Sequence, residues 1–270
     1  MLLFTAFAIV GLSLGCAAFL AASRLPLVRR FGMPVLLLLL CAHAVLQRFP
    51  ATEWALFPWP AHAFVRGFVL YPLATMFFGL AAARLPIRWN QVVVALVALA
   101  VLGHGLHRHR WLVWPEQHGG DRTADARHHL QQSTPYTCGP AACVAALSHC
   151  GVEATERQLS DWCLTRRAGT SLFDLYRGLV TALDGRPFSV SIEALTAAQL
   201  LATDHLVVCS RTGGGHAICV ATATGQVQVH DPLQKAPTRW TPAELQAEYL
   251  PPAIVIRPAD SAAAPARPPR

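Results

Sequence analysis

Four long apolar stretches occupy the first 107 residues of this 270-residue chain, and a water-soluble core of ordinary size cannot hide them all. Met1 to Ala22 has no charged side chain in 22 residues. Met33 to Gln47 is leucine-rich and reaches about 19 residues if Phe31 and Phe49 are included. Ala61 to Ala83 follows, then Gln91 to Leu106. Roughly 20 apolar residues cross a bilayer as a helix, with about 17 as a lower bound. About four transmembrane helices are therefore expected over residues 1–115. The first and third are secure by length, whereas the second and fourth are short enough to be re-entrant. Met1 to Ala22 is read as a retained anchor, because no Lys or Arg precedes it and it outruns the apolar core of a secretory signal.

The charge distribution separates this region from the rest. Residues 1–130 hold 11 Arg against four acids, Glu53, Glu116, Asp121 and Asp125, whereas residues 131–270 are neutral with 11 of each sign. All the formal charge of +7 therefore sits in the apolar half. There it reads as Arg flanking membrane spans, not as the basic face of a nucleic-acid-binding domain. Arg24, Arg29, Arg30, Arg84 and Arg88 lie in the odd loops and only Arg48 in the even one, which places both termini outside. Arg108, Arg110 and Arg122, after the fourth stretch, pull against that count. The expectation is a multi-pass membrane protein with an extracytoplasmic C-terminal half. Trp54, Trp59, Trp111 and Trp114 fit an interfacial belt. Arg66 and His43 fall within spans. Arg66 is read as snorkelling to the interface, and His104, His107 and His109 as a polar collar lacking the Cys or carboxylate partners of a metal site.

Residues 116–129 are polar, contain Gly119-Gly120 and read as a linker, while 258–270 read as a disordered tail rich in Pro and Ala. Residues 130–257 suffice for one domain with its own core. Helices are expected over Gly139–Cys150, from a capping box at Thr155 and Gln158 through Cys163, over Ser171–Leu183, and over Pro242–Tyr249. Strands are expected over Phe188–Ile192, His205–Ser210, His216–Ala223, Gln226–His230 and Ala253–Arg257. Helices first and an antiparallel sheet afterwards make an α+β domain.

Within that frame Cys138 stands where a helix begins, before Gly139-Pro140. Unpaired N–H groups and the positive end of the helix dipole stabilise a thiolate there. Pro140 is read at a first helical position and Gly139 as room for a substrate backbone. His216 follows three glycines and opens a strand. Asp231, stopped by Pro232 at the end of the next strand, is placed to accept Nδ1–H from His216 and fix its tautomer. Gln132, six residues before Cys138, offers an amide to an oxyanion beside the Cys138 backbone N–H. The set describes a Cys–His–Asp acyl-transfer site.

The segment QQSTPYTCGPAA ending at Ala142, the Gly169-Thr170-Ser171 turn, GGGHAICV and VQVHDP resemble the double-glycine leader peptidases. These are papain-like cysteine endopeptidases, peptidase family C thirty-nine, attached to bacteriocin exporters. The resemblance covers residues 128 to about 257. It implies a papain-like α+β fold, Cys138 as nucleophile, His216 as general base and acid, Asp231 as orienting acid and Gln132 as oxyanion donor. It also implies a peptide substrate, a bacterial inner membrane and a separate exporter as partner. In exporters of this type the peptidase precedes the spans, whereas here the apolar stretches come first. Lys235, the only Lys, lacks a Gly-Lys-Ser/Thr context, so bound ATP is not expected.

The family spacing favours Gln132 over Gln131. His230 and Asp231 alternate on a strand, so only one faces the cleft, and His205 is read as structural. Cys143, Cys150, Cys209 and Cys219 are read as small buried hydrophobes, and a Cys150–Cys163 disulfide is left open should the domain face an oxidising space. No metal or other cofactor is expected. The leading function is a membrane-anchored cysteine endopeptidase. The alternatives are a non-hydrolytic peptide-binding module of a transport or signalling protein, and a small transporter with an accessory domain.

Overall fold

The structure is a computed structural model that describes residues 2–49, 52–53, 56–57, 69–108, 117–202, 204–213, 215–223 and 225–259. Arg66, the four belt tryptophans, His109, Glu116, Gly214, most of the third apolar stretch before residue 69 and the tail from residue 260 lie outside them. The chain divides into two compact units, one over residues 1–53 and 62–115, the other over 54–61 and 116–270.

In the first unit, α1 (Leu2–Arg24) and α2 (Pro26–Arg48) meet at Leu25, which is extended. The ring of Pro26 disfavours a helical residue before it and is itself suited to a first helical position. After α3 (Leu70–Ala82) comes α4 (Arg88–Arg108). Of these, α2 and α4 up to His107 are long and apolar enough to cross a membrane. The second and fourth stretches, expected to be short enough to be re-entrant, thus form helices of spanning length. Each helix continues past its apolar centre into flanking Arg residues, and at about 1.5 Å per residue each suffices to cross. Small residues let α1 and α3 approach backbone to backbone. A Cβ added to Gly79 would collide with the Gly15 carbonyl, and Thr75 Oγ1 donates to the Gly11 carbonyl at 2.9 Å. Leu37, Leu38, Val92 and Leu96 are left exposed.

The second unit is α+β. Its first helix, α5 (Cys138–His149), is buried from Cys138 through Leu147, as expected of a helix apolar all round. Next comes α6 (Glu156–Trp162), opened by the capping box expected at Thr155 and Gln158. Ser171 caps α7 (Leu172–Ala182) by accepting from Asp174 N–H. Then follow β1 (Phe188–Glu193), α8 (Ala197–Ala202), β2 (His205–Arg211), β3 (Ala217–Ala223), β4 (Gln226–His230), β5 (Thr238–Trp240), α9 (Pro242–Glu248) and β6 (Tyr249–Pro258). The strands form one antiparallel sheet in the order β1-β6-β2-β3-β4-β5. Leu200 of α8 and Leu245 of α9 join Val207, Val220, Val229 and Val255 in one core, and α5 packs on β2 and β3.

Two expectations about connections change. Residues 117–129, read as a linker, are tied into this unit. The buried Glu156 carboxylate accepts from Gly120 N–H at 2.8 Å and from Ser133 N–H at 2.9 Å. His118 and His129 are buried as well. Polar composition did not mean a free segment, because a distant carboxylate satisfies its backbone. Pro258, placed in the tail, instead ends β6 opposite Phe188.

Candidate active site

Cys138 is the first residue of α5, after a turn in which Thr137 Oγ1 donates to the Thr134 carbonyl at 3.1 Å. Pro140 is third in the helix, not first, but still among the first-turn residues whose N–H has no helical partner. Gly139 serves packing as much as access. A Cβ there would come within 2.6 Å of Leu175 Cδ2, so its bareness lets α7 close on α5. Burial pushes the Cys138 thiol up. The hydrogen bond and charge of His216, with the N–H groups of Ala217 and Gly139, outweigh that and hold it below the ordinary thiol range.

His216 is aimed by a hairpin. Arg211 N–H donates to the His216 carbonyl at 2.9 Å, and Gly213 and Gly215 turn the chain at φ values of 97° and 76°, which a side chain at either position would strain. Cys219 of β3 pairs with His230 of β4, so Asp231 stands one step past that pair, alongside the approach to β3. The contact uses the far ring nitrogen: His216 Nε2 lies 2.6 Å from Asp231 Oδ1. This corrects the expectation of Nδ1–H. The carboxylate arrives from the neighbouring strand and meets the distal nitrogen, leaving Nδ1, the one nearer the main chain, for the thiol. Asp231 and Cys138 together raise His216 to about 9, Asp231 contributing most, against burial.

Asp231 is held on several sides. Its side chain is 5% exposed. Oδ1 also accepts from Leu233 N–H at 2.9 Å, and Oδ2 from Arg211 at 3.3 Å. Burial pushes its carboxyl up, yet His216, Leu233 N–H and Arg211 bring it below the ordinary carboxylate range. Sequence reasoning missed Arg211, whose place at a strand end carries no local sign of a partner 20 residues on.

Gln132 is half-buried, and its backbone N–H donates to the Pro232 carbonyl at 3.0 Å, which ties it to the residue after Asp231. Its amide nitrogen donates to the Thr134 carbonyl at 2.6 Å, which leaves one N–H of the two. Gln131 is exposed. His230 turns to His149 instead of the cleft, their Nε2 atoms 3.0 Å apart, and His205 begins β2 away from it. The cleft, about 290 Å³, is lined among others by Tyr136, Cys138, Arg167, Leu172 and His216. All eight cysteines are free, and Cys163 faces Cys143, not Cys150. Among the described residues no group of three His, Cys, Asp or Glu side chains is arranged to hold a metal ion.

Several solved structures resemble the chain, among them two peptidase domains. One is the peptidase domain of Streptococcus ComA, a bi-functional ABC transporter involved in a quorum sensing pathway: 23% identity, TM-score 0.40, covering 48% of this chain and 96% of that one. The other is a double glycine motif protease from an AMS/PCAT transporter in complex with the leader peptide: 12% identity, TM-score 0.43, covering 53% and 100%. No curated protein matches the chain. The profile of the Peptidase C39 family matches residues 126–261, a span that takes in the thiol, the imidazole and the carboxylate just described. With half the chain matched and a thiol set at a buried helix start in the matched half, this protein belongs to the Peptidase C39 family and is a cysteine peptidase.

Proposed function

We propose that the protein is a membrane-anchored endopeptidase that cuts a leader or secreted peptide through Cys138, His216, Asp231 and Gln132. The membrane region comprises residues 1–115 with about four spans, and the catalytic domain residues 117–258, on the extracytoplasmic side. One observation carries the reading: His216 sits between an ionised carboxylate on Nε2 and the Cys138 thiol at the start of a helix.

The Cys138 thiolate attacks the scissile carbonyl carbon. The negative charge moves to the carbonyl oxygen, where the second amide hydrogen of Gln132 and the Cys138 N–H donate to it. The imidazolium of His216 gives its Nδ1 proton to the departing amine, leaving a thioester. Water, deprotonated by the same nitrogen, hydrolyses the thioester and restores the thiolate. Asp231 keeps the Nε2 proton in place throughout and stabilises the imidazolium each time it forms. The spans would present the domain to peptides leaving the cell, in line with a separate exporter as partner.

An acyloxymethyl-ketone peptide probe is expected to label the full chain at Cys138, and Cys138→Ala to abolish labelling while the other seven cysteines remain. Labelling that survives the substitution overturns the assignment. Reporter fusions at residue 120 and at the C-terminus test the side of the membrane, and a cytoplasmic signal at both overturns that part.

A further inference from the structure

We infer that Arg211 is a positioning residue for this site: it holds the His216 backbone with its main chain and the Asp231 carboxylate with its side chain. The inference rests on the catalytic reading of Asp231 above. Arg211 ends β2, and its backbone N–H closes the hairpin onto the His216 carbonyl. Its guanidinium spreads over two acids, reaching Asp231 Oδ2 at 3.3 Å and Glu248 Oε2, at the end of α9, at 2.8 Å. It lies 5.9 Å from the centre of the Trp240 ring. Thr212 fastens the same corner, donating from N–H to the Glu248 carbonyl at 2.8 Å and from Oγ1 to its carboxylate at 3.0 Å. The arginine is therefore anchored before it touches Asp231.

Charge balance gives the anchor its purpose. A thiolate, an imidazolium and a carboxylate leave one negative charge in excess around a side chain 5% exposed. Burying an unbalanced charge is costly. Arg211 sets a positive charge directly beside the buried Asp231, and the more exposed Glu248 keeps the guanidinium from swinging to solvent. Because Oδ1 faces His216 and Leu233 while Oδ2 faces Arg211, the fork also sets the carboxylate plane, so losing it lets Oδ1 drift from Nε2. Among the described residues, the charged side chains bonded to Asp231 are His216 and Arg211, with Cys138 and Glu248 behind them.

The test needs no natural substrate. Iodoacetate is an anion, so its reaction with Cys138 requires the thiolate and is favoured by the neighbouring imidazolium; its rate falls at high pH as His216 loses its proton. Mapping the modified Cys138 peptide in the full chain gives that upper limb. Asp231→Asn should lower it, and an Asp231→Asn limb equal to the parent's overturns the catalytic reading itself. Arg211→Gln should lower the limb by about one pH unit and add nothing in the Asp231→Asn background, as expected of a residue acting through the carboxylate. Mere removal of a positive charge would raise the limb, so an upward shift overturns the inference. So does an unmoved limb, or an equal shift in both backgrounds. Should Arg211→Gln not fold, Arg211→Lys keeps the charge but not the fork and should lower the limb by a fraction of that shift. A lysine variant titrating like the parent overturns the inference too.

Discussion

The Nε2 atoms of His149 and His230 lie 3.0 Å apart, joining the last residue of the helix that starts at Cys138 to the strand residue next to Asp231. One ring must donate and the other accept, so the pair tolerates at most one proton beyond neutrality. His128 stacks on His149 with ring centres 4.2 Å apart, and His129 on His230 at 5.9 Å. Burial, then the charge of neighbouring imidazoles, lowers His149 to about 4 and His230 to about 3. Both therefore add stability above pH 6.5 that is lost as pH falls towards 4, because the unfolded chain takes protons the folded one refuses. The loss is on the order of 1 kcal/mol per pH unit for the more buried His230, and less for His149, which solvent screens. Urea unfolding of the full chain at pH 7 and pH 5, followed by tryptophan fluorescence, is expected to show it, and His149→Asn to flatten the difference. Equal midpoints at both pH values in the parent would sink the idea.

His216 behaves in the opposite sense. Raised to about 9 by Asp231 and then Cys138, it stabilises the fold fully below pH 6.5 and gives that up as pH rises through about 9. Iodoacetate alkylation of Cys138 is expected to follow a bell whose upper limb lies near 9. A limb near the ordinary imidazole value of 6.5 would show that the carboxylate does not support the ring.

Gly178 on α7 faces the buried Cys163, and an added methyl would overlap the sulfur. Alanine is the better helix former by about 1 kcal/mol, but overpacking a closed core costs about 1–3 kcal/mol. Since Sγ has nowhere to retreat, Gly178→Ala is expected to destabilise. Adding Cys163→Ala should recover most of the loss in denaturant melts, and no recovery would place the strain elsewhere.

Glu156 is fully buried and accepts two backbone N–H groups, from Gly120 and Ser133. Removing the carboxylate strands both donors, at about 1–3 kcal/mol. Glu156→Ala should therefore speed hydrogen exchange at Gly120 and Ser133 well before the sheet exchanges. Uniform acceleration across the domain would instead mean that the segment has no separate anchor.

Local chemistry was readable where it was complete within a few residues. Thr155 and Gln158 announce a helix start because both halves of the capping box stand three apart. β4 reads correctly because Gln226 to His230 alternates in and out. Two pieces were hidden: Thr238–Trp240 is too short to show a period, and Ala197–Ala202 is a single turn and a half without contrast. At the site, the order of Cys138, His216 and Asp231 suggested one cleft, and the three side chains do meet there. The ring nitrogen used, the role of Gly139 in seating α7, and Arg211 beside Asp231 depend on side chains far apart in sequence. The second and fourth stretches looked short because apolar residues were counted instead of helical ones: α2 and α4 run on past their apolar centres into arginines.

β6, the last strand described, does not sit at the rim of the sheet but is threaded between β1 and β2. A chain still on the ribosome, short of residue 249, has β2 unpaired on one side and β1 adrift. The loop that delivers the imidazole is then unsupported. Proteolytic competence thus waits until residues 249–258 have emerged and closed the sheet between β1 and β2.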